Sequence, residues 1–111
     1  MSHRRPSDAE WRLLNLLVFR APQLGLPSGW QEAIRVQHMA DGDMGSLRII
    51  RLGEPPSSRH FGRRVAECQF RDEDDVEVLA SLNVDQDGRL FELDIWKTNF
   101  ERLIRIPEKL E

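Results

Sequence analysis

The stretch Val76–Lys97 constrains the fold of this chain more than any other part of it. Val76, Val78, Ala80, Leu82 and Val84 alternate strictly with Glu77, Leu79, Ser81 and Asn83, and a second alternating run follows at Leu90–Lys97. Side chains on a strand point alternately to opposite faces, so a period of two describes a strand with one buried face. Asp85-Gln86-Asp87-Gly88 separates the two runs and ends in a glycine free to take positive φ. Together they predict an antiparallel hairpin, and its apolar face needs a cover.

The cover is expected from the N-terminal segment. Ser7-Asp8-Ala9-Glu10 has the pattern of a capping box, with Pro6 and Trp11 placed as a hydrophobic staple. The helix is predicted from about residue 7 to residue 20, ending before Ala21-Pro22 because a residue preceding proline disfavours helical geometry. Trp11, Leu13, Leu14, Leu17 and Val18 share one face, Arg12 and Asn15 lie opposite, and Leu16 and Phe19 fall outside the stripe.

Between helix and hairpin, residues 21–29 form a connection punctuated by Pro22, Gly25, Pro27 and Gly29. Further strands are predicted at Ile34–Met39, Ser46–Leu52 and Gly62–Arg71, the last with Ala66, Cys68 and Phe70 on its core face. Asp41-Gly42-Asp43 is a turn, Gly53–His60 a flexible loop and Asp72–Asp75 a solvated acidic turn. The tail, residues 98–107, reads as a short helix capped by Asn99 or as a last strand ended by Pro107. The expectation is one α+β domain over residues 1–111. An N-terminal helix packs on one face of an antiparallel, meander-like sheet of about five strands, neighbours in sequence pairing in space.

Composition sets the limits on function. With 111 residues the chain has room for one core. A net charge of −3 makes nucleic acid an unlikely default partner. The single cysteine, Cys68, cannot form an internal disulfide and fits a reducing compartment. The apolar run Leu13–Phe19 is too short and too acid-flanked for a signal peptide. Nothing approaches the roughly 18 apolar residues of a membrane span, so a cytoplasmic location without membrane contact is expected.

Three constellations are candidates for chemistry. His38, Asp41 and Asp43, with His60 from the next loop, offer an imidazole and carboxylates of the kind divalent metals take, but their spacing matches no closed metal motif and suits a tight turn better. The acids at 72–75, 85 and 87 lack the alternating ligands of a calcium loop. On the last strand Phe91, Leu93 and Ile95 are assigned to the core, leaving Glu92, Asp94 and Trp96 on the other face beside Ser81 and Asn83. Two such carboxylates lie roughly 6–7 Å apart along a strand. An exposed tryptophan among acids is a binding anchor more readily than a catalytic pair. Cys68 is expected to be inert packing, and no nucleophile elbow, phosphate loop or cofactor motif is present. Residues 45–66 carry five Arg against one Glu, and residues 67–96 carry ten acids against two Arg, which predicts a charge dipole unless the two stretches pair.

The opening Arg4-Arg5-Pro6-Ser7-x-x-Glu10, the stretch Met39–Leu47 (MADGDMGSL) and the stretch Asn83–Lys97 (NVDQDGRLFELDIWK) resemble a family of small bacterial proteins classed as a domain of unknown function. Asp-Gly-x-Leu-Phe-Glu-Leu-Asp-x-Trp-Lys is the most specific part. The resemblance implies one domain over most of the chain and brings no catalytic residues with it. In size, acidity and lack of catalytic motifs the chain is also similar in type to immunity proteins of bacterial toxin systems. The leading expectation is therefore a non-catalytic binding module for a protein with a basic surface, using Glu92, Asp94, Trp96, Ser81 and Asn83. The alternative is a small metal-dependent enzyme or ligand-binding protein using the His38–Asp43 turn and His60. A homodimer through an exposed strand or the tail is a further partner consistent with the sequence.

Overall fold

The N-terminal capping box forms as its residues require. In the computed structural model, which describes residues 3–53 and 58–110, Ser7 Oγ accepts from the Glu10 amide at 3.2 Å and the Glu10 carboxylate accepts from the Ser7 amide at 2.8 Å. These bonds start α1, Asp8–Phe19. Leu13, Leu14 and Leu17 are buried, Trp11, Leu16 and Val18 pack on the core at its margin, and Phe19 is 82 % exposed. The predicted loop at 53–60 includes residues 54–57, which lie outside the described residues.

Five strands form one antiparallel sheet: β1 Ile34–His38, β2 Leu47–Arg51, β3 Phe61–Arg71, β4 Glu77–Asp85 and β5 Leu90–Lys97. Their order is β1-β2-β5-β4-β3. Sequence neighbours pair at β1/β2, β3/β4 and β4/β5, but β2 meets β5 and not β3. β3 is suited to an edge, because it opens with Gly62, Arg63 and Arg64 and carries two register shifts against β4. β5 offers Leu93 and Ile95 to the core and takes the centre. Gly62 sits at the first irregularity, and a methyl there would overlap the Asp85 carbonyl. Gly88 takes the positive φ, +80°, that the β4–β5 turn needs.

The β2–β5 ladder is short, pairing Leu47 with Leu93 and Arg48 with Glu92. Beyond it Ser46 continues the work of a backbone. Its buried hydroxyl accepts from the Ile95 amide at 2.8 Å and donates to the Ile95 carbonyl at 3.1 Å. Further along, Met44 Sδ accepts from the Lys97 amide at 3.4 Å. The buried edge of β5 is thereby satisfied by side chains.

Phe91 departs from its assignment to the core. It is buried, but outside the main apolar cluster, which takes Leu90 instead. The register slips at this point, from Asn83 opposite Glu92 to Val84 opposite Leu90. The extra residue in β5 changes the phase of the alternation. The Phe91 ring lies under two guanidiniums, Arg48 at 4.4 Å and Arg59 at 5.2 Å.

The acidic turn after β3 is not simply solvated. Asp72 is 4 % exposed and Lys97, the last residue of β5, only 1 %. Lys97 Nζ donates to Asp72 Oδ2 at 2.9 Å, to Asp74 Oδ2 at 2.6 Å and to the Arg102 carbonyl at 3.4 Å. The Asp72 carboxylate also accepts from the amides of Glu73 (2.8 Å), Ile104 (2.8 Å) and Arg105 (3.0 Å). The tail is therefore neither helix nor strand. It is an extended segment fastened by Asp72, by the Leu103 amide on the Asp43 carbonyl (3.1 Å) and by Arg12 on the carbonyls of Ile106 and Pro107. Ile106 enters the core, whereas Phe100 and Ile104 stay exposed. Asn99 accepts from the Glu101 amide, the expected local bond, but Phe100 takes a positive φ of 65° and no helix follows.

Burial pushes the Asp72 carboxyl up, but the Ile104 amide, Lys97 and the amides of Glu73 and Arg105 outweigh it and hold the group below its ordinary value. Asp85 behaves alike. Burial raises it, and the Arg89 amide, the Arg59 guanidinium and the Asp87 amide bring it down further. Burial alone would lower Lys97, yet Asp74 and Asp72 raise it above its ordinary value.

Four outcomes are expected. Asp72→Ala strands Lys97 and the tail amides, so it should lower Tm by about 5 °C or more and speed hydrogen exchange at Ile104 and Arg105. Asp74→Ala leaves those amides bonded and should cost less. Gly62→Ala should destabilise comparably, because the obstructing atom is backbone. For Asp72 and Asp85 the folded pKa lies below the unfolded one. Their stabilisation is complete above the ordinary carboxylate value of 3.8 and is lost as pH falls through the lower folded values. Acid unfolding followed by circular dichroism should show this, with a shallower acid limb in Asp72→Asn.

Candidate functional site

α1 and the tail cover one face of the sheet, and the other face carries a lattice of side chains set by the register. Glu67, Ser81 and Asp94 line up across β3, β4 and β5. Gln69, Leu79 and Trp96 form the next row. Arg64, Asn83, Glu92 and Arg48 form a third, reaching β2. This follows from the period-two pattern that the sequence displays in β4 and β5.

Within this lattice the expected residues separate into two groups. Asn83 is buried, and its amide donates to Glu92 at 3.3 Å. Glu92 is half-buried and faces Arg48 at 3.8 Å. Both are struts of the sheet more than contact points. Ser81, Asp94 and Trp96 are the accessible members. Asp94 is exposed, with the Ser46 hydroxyl 3.3 Å away.

Trp96 is 39 % exposed and packs edge-to-face on Phe100, at 5.7 Å between ring centroids and 61° between planes. Phe100 itself is 71 % exposed. The sequence places Phe100 only in an apolar tail, and its pairing with Trp96 depends on the turn at Thr98–Phe100, where the Phe100 amide donates to the Lys97 carbonyl at 2.8 Å. Two adjoining shallow depressions share Arg64, Ser81 and Asp94. One extends toward Phe61 and Arg63, the other toward Leu79 and Trp96. An aromatic pair, an aliphatic side chain and a carboxylate at the centre, with arginines at one side, can hold a partner by burial and charge. Cys68 faces the core, where burial pushes its thiol up, an effect Arg20 only partly offsets.

The other candidate residues are dispersed. His38 ends β1 with its Nε2 3.0 Å from Arg4 Nη2, and Arg4 also grips both Glu10 oxygens at 2.7 and 3.0 Å. Asp41 turns back to accept from the Ser46 amide at 2.8 Å. Asp43 takes a positive φ of 62° and presents its carbonyl to Leu103. His60 is exposed, and its amide donates to Gln86 at 3.0 Å. Among the described residues, no group of three His, Cys, Asp or Glu side chains is placed to hold one metal ion.

The basic and acidic stretches interlock. Arg59 pairs with Asp85 at 2.9 Å, Arg64 with Glu67 at 3.1 Å and Arg48 with Glu92 at 3.8 Å, and arginines from outside the basic stretch add Arg71 with Asp75 and Arg105 with Glu73. The turns at 72–75 and 86–89 close opposite ends of β4, which splits the acidic half in two. The open face is consequently mixed in charge, with Asp94 as its exposed acid nearest Trp96.

No helix is long and apolar enough to cross a membrane among the described residues. No curated protein and no solved structure matches the chain. A family model does match it, over residues 3–107, which takes in α1, all five strands and the tail that Asp72 fastens. The chain thus belongs to the family described as a domain of unknown function, DUF6984.

Proposed function

We propose that this protein is a non-catalytic binding module whose open sheet face engages another protein through Trp96, Phe100, Asp94 and Ser81. The observation that carries the reading is the edge-to-face pair of Trp96 and Phe100, both solvent-exposed beside Asp94 on the uncovered side of the sheet. Rigid aromatics that keep much of their surface in water gain most from being covered, and they are enriched among residues that dominate interfaces. The partner that suits this patch has a basic surface. An arginine or lysine from it pairs with Asp94 and lies against the Trp96 ring. In size, acidity and lack of catalytic motifs the chain is similar in type to immunity proteins of bacterial toxin systems. The lone cysteine supports a reducing compartment, the cytoplasm, as the place of action.

A pull-down from bacterial lysate with the tagged chain, at low and high salt, tests the proposal. One dominant partner is expected, captured less well at high salt. Trp96→Ala should weaken a purified complex by about 30-fold, the scale of a central aromatic anchor. Asp94→Ala should act mainly on the association rate and remove part of the salt dependence. Both variants should keep the wild-type Tm within a few degrees. Unchanged affinity in both would eliminate this face.

A further inference from the structure

The two edges of the sheet are finished differently. On β1 the N-terminal segment closes the edge, with the Arg4 amide donating to the Val36 carbonyl at 3.0 Å and the Val36 amide to the Arg4 carbonyl at 2.7 Å. On β3, the opposite edge, no strand lies alongside among the described residues. The backbone there is oriented for one. The Asp72 amide donates to the Val76 carbonyl, and the register runs unbroken from Ala66 opposite Leu82 to Arg71 opposite Glu77. Hydrogen-bonded pairs alternate along an antiparallel ladder, so Cys68 and Phe70 turn their backbone groups to β4, and Glu67, Gln69 and Arg71 turn theirs outward. The Arg20 guanidinium, which donates to the Glu67 carbonyl at 3.1 Å, reports the same direction. That carbonyl keeps a second lone pair for a strand amide.

Charged side chains on an edge strand ordinarily keep other strands away. Here their order suits one strand in particular. Glu67, Gln69 and Arg71 all stand exposed on the open face. A two-fold axis through Gln69, perpendicular to the sheet, sets a second β3 antiparallel to the first. Gln69 then lies opposite its own copy, and Glu67 lies opposite Arg71 on both sides of the axis. Facing residues in that register exchange both backbone bonds, and each acid meets a base. The neighbouring axes do worse. Through residue 67 the axis opposes Glu67 to Glu67, through residue 71 Arg71 to Arg71, and through residue 68 Glu67 to Gln69. In the single chain the same charges make only exposed pairs, Glu67 with Arg64 at 3.1 Å and Arg71 with Asp75 at 3.7 Å, of the kind that contributes little. On the core side Cys68 comes opposite Phe70 of the second copy, both of them buried and apolar, so no polar side chain is trapped between them.

We propose that β3 pairs with β3 of a second copy of this chain, antiparallel and centred on Gln69, joining two sheets into one whose open faces lie on the same side. The pairing is independent of the partner proposed for that face, so it is tested on the purified full chain alone. Sedimentation equilibrium over a concentration series should show a monomer–dimer equilibrium that persists in reductant, since Cys68 does not face Cys68. Hydrogen exchange should slow with rising concentration at the amides of Glu67, Gln69 and Arg71, and not at those of Cys68 and Phe70, which β4 already holds. Glu67→Arg and Arg71→Glu should each weaken the dimer about tenfold, by setting like charges opposite one another. An equimolar mixture of the two variants should dimerise as tightly as the wild type, because each offers the charge that the other lacks. Three results would each overturn the proposal: a monomer at every concentration, swaps that weaken the dimer without mutual rescue, or a dimer that Trp96→Ala abolishes while both swaps leave it intact. The exchange pattern is read on the wild-type chain, so the proposal stays testable even where a variant fails to fold.

Discussion

The ammonium of Lys97, buried at the end of the central strand, is the interaction on which the rest of the arrangement depends. A buried ammonium is tolerable only with its donors satisfied and its charge balanced. Here the acidic turn after β3 supplies two carboxylates and the tail supplies a carbonyl. Asp72 in turn spends its remaining acceptor capacity on backbone amides of the tail. One ion pair therefore joins three segments far apart in sequence: the β3–β4 turn, the end of β5 and residues 102–105. Without it the tail has no ladder of its own, since it forms no regular element. Its other attachments are Leu103 and Ile106 on the core and the scattered bonds from Asp43 and Arg12.

This arrangement also shapes the candidate interface. Phe100 lies three residues beyond Lys97, and its backbone bonds back to the Lys97 carbonyl. That turn sets Phe100 against Trp96, and Asp72 fastens the chain that follows it at Ile104 and Arg105. The charge network and the aromatic patch are thus parts of one construction. Substitutions in the network should disturb the patch indirectly, whereas Trp96 and Asp94, which make no bond to the network, report on the surface alone.

What was legible in the sequence was local. The capping box, the alternation in β4 and β5, the Gly88 turn and the core face of Cys68 and Phe70 each depend on residues within a few positions of one another, and all are present in the structure. The features that the sequence obscured depend on long-range pairing. Nothing local in Leu47–Arg51 says that its partner is β5, because the decision rests on β3 being the poorer neighbour. Lys97 has the right parity for the core face, but a lysine at a strand end is ordinarily solvated, and only the fold brings Asp72 and Asp74 to it. Phe91 was assigned by alternation, and a bulge set by β4 inverted its phase. The candidate site was legible as a face, since Ser81, Asp94 and Trp96 follow from the period of two. The withdrawal of Asn83 and Glu92 into struts was not, because it follows from Arg48 arriving on a strand that the sequence does not reveal as a neighbour.

Charge was legible as a sum and misleading as a pattern. A basic stretch followed by an acidic one suggests a dipole, yet the basic β2 and the basic start of β3 flank the acidic β5 and β4, and proximity converts the contrast into pairs. On the open face Asp94 stays exposed, with the Ser46 hydroxyl 3.3 Å away and the Trp96–Phe100 pair alongside. The acid-and-aromatic surface that results is the part of the molecule the proposed protein partner covers.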